Sequence, residues 1–261
     1  MPDGPPGVAL DYARAVTERA GASLGGRLRA ACLHGSAVLG GWIPGHSDAD
    51  LLLITDDDVP APALTALAAA LAGLDAGGLG PGPGGGLECS AVGAGAAVLP
   101  RAPWPFLLHV NRAEDRTRIV YGRERPGDAD LLMHYAVCRA AGQAVYGPSP
   151  RDVIGGVPRP VILDYLATEL GWGLEHASEA YAVLNACRAL IYLADGQIVS
   201  KLAGGRLAAE RGLGPAAAIS RAIEQQERGA REPGVAPDAV VFVRSAAARL
   251  RAAARRSPAG A

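Results

Sequence analysis

Long apolar runs, paired cysteines and a surplus of either charge are all missing from this chain, and each absence excludes something. The longest apolar stretch, around Ala63 to Leu74, is too short and too rich in alanine to span a bilayer. The opening residues, Met1-Pro2-Asp3-Gly4-Pro5-Pro6, have neither the basic nor the apolar segment of a secretory leader. The expectation is a cytoplasmic protein with no membrane partner. Cys32, Cys89, Cys138 and Cys187 lie far apart, with no Cys-x-x-Cys and no histidine at ligand spacing, so they read as buried free thiols and not as disulfides or zinc ligands. Lys+Arg 25 against Asp+Glu 26 leave a formal charge of -1, which withholds the basic field that drives nucleic-acid binding. Hydrophobic residues, by contrast, are plentiful: 49% of 261 residues suffice for one large domain or two smaller ones. Ala, Gly, Arg and Pro are used so heavily that some glycines and prolines carry no structural message.

One stretch organises the rest. From Leu33 to Ile54 the chain reads Leu-His-Gly-Ser-Ala-Val-Leu-Gly-Gly-Trp-Ile-Pro-Gly-His-Ser-Asp-Ala-Asp-Leu-Leu-Leu-Ile. Ala30 to Leu33 and Leu51 to Ile54 are apolar and read as short buried strands, so the polar residues fall at strand ends. Side chains two apart on a strand share a face, which sets the Asp48 and Asp50 carboxylates side by side and turns Ala49 into the core. Two adjacent like charges call for a divalent cation, and hard oxygen ligands with room for phosphate oxygens suit Mg²⁺. Gly35 permits a tight turn with close backbone approach. Ser36, opening a short helical run up to Gly40-Gly41, offers a hydroxyl and N–H groups to a phosphate. A solvated turn would require neither the preceding Gly-Ser nor a second carboxylate at the head of so apolar a strand. The spacing resembles the signature of the polymerase-β-like nucleotidyltransferases.

Along the chain, Val8 to Arg19 has helical periodicity and Gly21 to Gly26 should end it. Asp56-Asp57-Asp58-Val59-Pro60 resembles a helix start, followed by a helix over Ala63 to Leu74. Ala76 to Gly86 is nearly all glycine and proline; Gly80, Gly82 and Gly85 satisfy G-x-G-x-x-G in form, but the segment leads into a strand and reads as a loop. Leu87 to Val92 is a third strand, with Glu88, Ser90 and Val92 on one face and Glu88 its only acid. Phe106 to Val110 and Thr117 to Val120 are candidate further strands, with Ala102-Pro103-Trp104-Pro105 a turn. Asp128 to Gln143 has helical periodicity. Its Asp128-Ala129-Asp130 copies the earlier pattern but lacks an upstream Gly-Ser, and reads as capping. Tyr146 to Pro150 with Gly155 to Pro158 marks a domain boundary. Beyond it, Arg159 to His176, Ser178 to Leu193, Ser200 to Gly212, Ala216 to Arg228 and Pro237 to Arg256 predict about five helices, enough for a bundle. Arg244, Arg249, Arg251, Arg255 and Arg256 make the last one a solvated basic face.

Taken together, the two halves resemble the aminoglycoside adenylyltransferases that modify streptomycin and spectinomycin. The resemblance rests on Leu-His-Gly-Ser-Ala-Val-Leu-Gly-Gly…Ser-Asp-Ala-Asp-Leu-Leu-Leu, on Gly147-Pro148, and on Tyr181-Ala-Val-Leu-Asn185-Ala-Cys-Arg188…Gly196-Gln-Ile-Val-Ser200-Lys201. It implies an α/β nucleotidyltransferase domain over 1–154, a mixed sheet with flanking helices, and an all-α helical bundle over 155–261. ATP, Mg²⁺ and the antibiotic would bind in the cleft between the domains.

By the same resemblance Gly35 and Ser36 would meet phosphate. Asp48 and Asp50 would hold Mg²⁺, and Glu88, facing them, would be the third carboxylate of the metal site and the base. Tyr181, Arg188, Ser200 and Lys201 would serve the nucleotide. The acceptor side departs from the family: His109 and Asn111 stand where its streptomycin users present a tryptophan, Trp104 falls several residues early, and Ser178, flanked by Glu175 and Glu179, replaces an acid. The implied reaction is AMP transfer from ATP to a hydroxyl of an aminoglycoside or aminocyclitol by a monomer, with release of pyrophosphate. The alternatives are another small-molecule or protein hydroxyl, or a non-catalytic nucleotide-binding module; the retained Asp48, Asp50 and Glu88 count against the last.

Overall fold

The computed structural model describes residues 5–74, 86–113, 116–229 and 234–256. The G-x-G-x-x-G at Gly80, Gly82 and Gly85 lies outside them. The chain divides into two compact units, Met1–Val157 and Pro158–Ala261.

In the first unit the order is α1 (Gly7–Leu24), β1 (Leu28–His34), β2 (Ala49–Thr55), α2 (Ala61–Ala72), β3 (Leu87–Gly93), α3 (Ala94–Val98), β4 (Leu108–Ala113), β5 (Arg116–Tyr121), α4 (Leu131–Ala141), β6 (Gln143–Tyr146) and α5 (Pro150–Val153). The sheet is mixed, in the order β5-β4-β3-β2-β1-β6, with β2 and β3 parallel and the other neighbours antiparallel. Alternation along each strand sorts residues between its faces. Ala31 and Leu33, Leu51 and Leu53, Cys89 and Ala91, and Leu108 and Val110 form one continuous core with Val16 and Leu24 of α1 and Leu67 and Leu71 of α2. Each buried leucine there contributes about 1.5–3 kcal/mol. The register puts Cys32, His34, Asp50, Leu52, Glu88, Ser90, His109, Asn111 and Arg118 on the opposite face.

Several boundaries differ from the sequence expectation for tertiary reasons. Helix α1 runs through Gly21 and ends at Gly25, whose φ is 58°. Fully buried Ala20 and Leu24 hold that last stretch against the roughly 1 kcal/mol cost of a helical glycine. The acids before α2 do not open it: Asp56 accepts from Arg29 Nε at 2.5 Å and Asp57 accepts from the Gly95 N–H at 2.9 Å, while Pro60 stands at the cap. Helix α4 starts three residues later than expected. Strand β6 and the short helices α3 and α5 were not anticipated; β6 has only four residues, and its place is set by the edge of β1 that it covers.

The second unit contains α6 (Arg159–His176), α7 (Glu179–Asp195), α8 (Lys201–Glu210), α9 (Ala216–Glu227) and α10 (Pro237–Arg256). Leu163 and Leu170 of α6, Val183 and Ile191 of α7, Ile219 of α9 and Val243 and Leu250 of α10 are buried. The five arginines of α10 are exposed, as a solvated face requires, with Arg251 reaching the Ala167 carbonyl. Helices α7 and α8 pack closely where Gly204 faces Arg188: a Cβ on Gly204 would lie 2.8 Å from the Arg188 Cβ and 3.0 Å from its backbone nitrogen. Gly204→Ala must therefore push α8 off α7. The expected loss is about 1–3 kcal/mol, read as a lower melting temperature; an unchanged melting temperature would show that the helices have room to spare.

The four cysteines are buried and free, as expected. No described helix is long and apolar enough to cross a membrane.

Candidate active site

The polar residues of the first unit gather on the face of the sheet away from α1 and α2. At the Gly35-Ser36 turn the chain makes a single 3-10 turn, Gly35–Ala37, instead of the longer helical run expected up to Gly40-Gly41. Gly35 has φ 67°, and a Cβ there would stand 1.8 Å from Asp50 Oδ2, so the Asp50 carboxylate occupies the space that glycine leaves. Asp48, just before β2, accepts the Gly86 N–H at 3.0 Å. Parallel pairing of β2 with β3 sets Asp50 directly beside Glu88. Across β3 and β4, Ser90 and His109 are register partners, and Ser90 Oγ lies 3.0 Å from His109 Nδ1. A cavity of about 610 Å³ opens here, lined by Glu88, His109, Asn111, Asp128, Asp130 and His134 with Arg116, Arg118 and Arg125.

The electrostatics follow from crowding. Burial raises the Glu88 pKa above the usual carboxylate range; His109 opposes the shift, and the carboxylates of Asp130, Asp48 and Asp128 add to it. Burial likewise lowers His109 against the pull of Glu88. Among the described residues no three His, Cys, Asp or Glu side chains converge to hold a metal by themselves. Mg²⁺ does not need such a cage: it binds through one or two carboxylates and completes its shell with substrate phosphates and water. Asp50, cradled against Gly35, and Asp48 on the same rim are hard oxygen donors that fit that mode, with Glu88 beside them.

In the second unit a separate cluster forms on α6, α7 and α8. Tyr181 OH donates to Glu169 Oε1 at 2.5 Å, and Lys201 Nζ stands 4.5 Å from the centroid of the Tyr181 ring. Trp172, half exposed, meets Tyr181 edge-on at 5.9 Å. Burial lowers the Arg188 pKa, opposed by Tyr181, Tyr165 and Glu169, which places the guanidinium in the same group.

Residues 153–234 match the family model described as aminoglycoside adenylyltransferase, C-terminal domain. That stretch of the chain, most of its helical unit, is thus similar to the C-terminal domain of aminoglycoside adenylyltransferases. No curated protein sequence matches. Among solved structures, a spectinomycin adenyltransferase, AAD(9), from Enterococcus faecialis, solved with ATP and spectinomycin, is similar with a TM-score of 0.64 and 14% identity, covering 94% of this chain and 99% of that one. At that identity the likeness speaks for the fold alone: a mixed six-stranded sheet with helices, followed by a helical region.

The expected site residues do not all fall together. Glu88, Asp48, Asp50, Gly35, His109 and Asn111 lie in one region of the sheet, and Tyr181, Arg188 and Lys201 in one cluster of the bundle. Four expected contacts have other work. Glu179, expected beside the acceptor, is 6% exposed; it accepts from Arg221 Nε at 3.0 Å and the Ala236 N–H at 2.7 Å, joining α7, α9 and the start of α10. Ser178 and Ser200 cap α7 and α8, accepting from the Tyr181 and Ala203 N–H groups at 3.3 and 3.2 Å. Trp104 is buried at 8% exposure and does not line the cavity; its carbonyl accepts the Asp128 N–H at 3.0 Å. Glu175 is exposed in the last turn of α6.

The capping role given to Asp128-Ala129-Asp130 holds for Asp128, which accepts the Asp130 N–H at 3.2 Å. Asp130 makes no side-chain cap bond, and both carboxylates line the cavity. Sequence reasoning missed His34, Ser90, His134, Glu169 and Trp172 as well. Signals existed: Ser90 is two residues from Glu88 on one strand, and Tyr165, Glu169 and Trp172 follow helical spacing. Lys201, moreover, is the only lysine in an arginine-rich chain.

Proposed function

We propose that the protein transfers AMP from ATP to a hydroxyl of an aminoglycoside or aminocyclitol antibiotic of the streptomycin or spectinomycin kind, releasing pyrophosphate. The observation that carries the reading is Glu88: a carboxylate with a raised pKa, set by strand register beside Asp50 and opening onto a cavity lined by acids and arginines alike. An acceptor hydroxyl that attacks the α-phosphorus must lose its proton, and a carboxylate poised nearer neutrality is better suited to take it. The new bond joins the acceptor oxygen to the α-phosphorus, and the bond that breaks releases pyrophosphate. Mg²⁺, held by Asp48 and Asp50, would neutralise charge on the triphosphate. Gly35 and Ser36 form the turn beside those carboxylates. Asp128 and Asp130 set carboxylates among the arginines of the cavity wall, and the similar enzyme was solved with ATP and spectinomycin. ATP as donor fits a cytoplasmic setting.

The test is pyrophosphate release from ATP and Mg²⁺ with a panel of aminoglycosides. Turnover with streptomycin or spectinomycin is expected. ATP binding without turnover on any acceptor would overturn the reading in favour of a non-catalytic module.

By the similarity of residues 153–234 to the C-terminal domain of aminoglycoside adenylyltransferases, Arg188 and Lys201 would offer a nucleotide two positive charges. Lys201→Ala is expected to weaken ATP binding by about 1.5–3 kcal/mol, the worth of a charge-assisted hydrogen bond. Calorimetry decides; a wild-type dissociation constant would remove Lys201 from the site.

A further inference from the structure

His134 is delivered by α4 to the open face of the sheet, and its Nε2 lies 3.5 Å from Glu88 Oε1. On its other side it leans on His34, with ring centroids 4.7 Å apart and planes tilted by 45°. His34 ends β1, pairs in register with Asp50 and is 3% exposed. An imidazole that carries a proton on a buried nitrogen with no acceptor is disfavoured, as tautomer or as cation. His134 Nδ1 is buried with no hydrogen-bond partner. A proton on Nδ1 would leave a buried donor unpaired, the rarer and costlier defect; a proton on Nε2 leaves only a lone pair unpaired and aims the N–H at Glu88.

We propose that His134 is a positioning residue for Glu88: its Nε2, 3.5 Å from Oε1 in the ligand-free protein and braced by His34, closes to donate to that oxygen when the acceptor binds, fixing the carboxylate so that its other oxygen takes the proton of the acceptor hydroxyl. The inference rests on Glu88 being the base of the proposed reaction. A neutral donor suits such a role, because it holds the ionised carboxylate without the counter-charge that would make it a poorer base.

The experiment compares His134→Phe, which keeps a ring and loses the donor, with His134→Gln, whose amide nitrogen can donate from near the same place; His134→Leu is a second apolar variant for the case in which the phenyl ring is too large. The full chain is assayed for kcat and KM, for ATP binding by calorimetry and for melting temperature, beside a Glu88→Gln control. Expected are a fall in kcat of roughly ten-fold in His134→Phe and His134→Leu, the worth of one hydrogen bond, with KM and ATP affinity unchanged, and recovery to within about three-fold in His134→Gln. Equal activity of the Phe and Gln variants, or a loss that tracks melting temperature across all three, would overturn the positioning role. Wild-type turnover in the Glu88→Gln control would overturn the base itself and the inference with it. A slow control beside a fast His134→Phe would sink the inference alone.

Discussion

Asp50→Asn should lower turnover on the order of 10³-fold while leaving the fold intact, and Gly35→Ala should do nearly the same without touching a carboxylate. A metal held by the proposed pair would stabilise transition-state charge by several kcal/mol, and each 1.36 kcal/mol is a factor of ten in rate. The substitution would remove the charge of a proposed ligand without changing its shape. Gly35→Ala acts by crowding: the added carbon would fall 1.8 Å from Asp50 Oδ2, at a φ of 67° that side-chain-bearing residues rarely adopt. Either Asp50 moves or the turn does, and both carry the proposed phosphate and metal groups. The measurement is pyrophosphate release as a function of Mg²⁺ concentration, with circular dichroism to establish that each variant is folded. A folded Asp50→Asn protein with near wild-type turnover would show that the pair Asp48 and Asp50 is not a metal site. Loss in Asp50→Asn with none in Gly35→Ala would show that the turn has slack.

The sheet and its carboxylates were legible because they obey short-range rules. A period of two assigns Asp50 and Glu88 to a face without knowledge of the partner strands, and the apolar runs that follow Asp50 and Glu88 leave little else for those segments to be. Helices α6 and α10 were bounded by the same local logic, with proline near the start of α6 and at the first residue of α10.

What was not legible depends on partners distant in sequence. Glu179 has the same chemistry whether it grips a ligand or joins Arg221 and the Ala236 N–H, and only the approach of α9 and α10 decides. Ser178 and Ser200 illustrate a related ambiguity: a hydroxyl at a helix start is an acceptor for its own helix first. Asp130 erred in the opposite direction. Its position before α4 suggested a cap, but the turn is closed by Asp128, so its carboxylate lines the cavity. His134 sits mid-helix among apolar neighbours, and nothing local distinguishes it from a core histidine until β3 brings Glu88 within 3.5 Å.

Glu88→Gln separates base from ligand. Loss of a general base is expected to slow the reaction roughly 10²–10⁴-fold while ATP affinity stays within several-fold of wild type. In the wild-type protein the proposed reaction should slow as pH drops through the raised pKa of Glu88, so the acid limb lies above the ordinary carboxylate range. The stability consequence has a definite sign. Because the folded state holds this proton more tightly than the unfolded chain, stability falls as pH rises from the unfolded to the folded pKa, and at neutral pH the ionised Glu88 destabilises the fold. A neutral amide of the same shape relieves that. Glu88→Gln should therefore melt at the same temperature as wild type or higher at neutral pH, with the difference vanishing in acid where both side chains are uncharged. The pairing of slower chemistry with equal or greater stability is the mark of a strained functional group. Lost ATP binding would instead make Glu88 a metal or nucleotide ligand, and a lower melting temperature at neutral pH would mean that its charge is satisfied by neighbours and that its pKa is not raised.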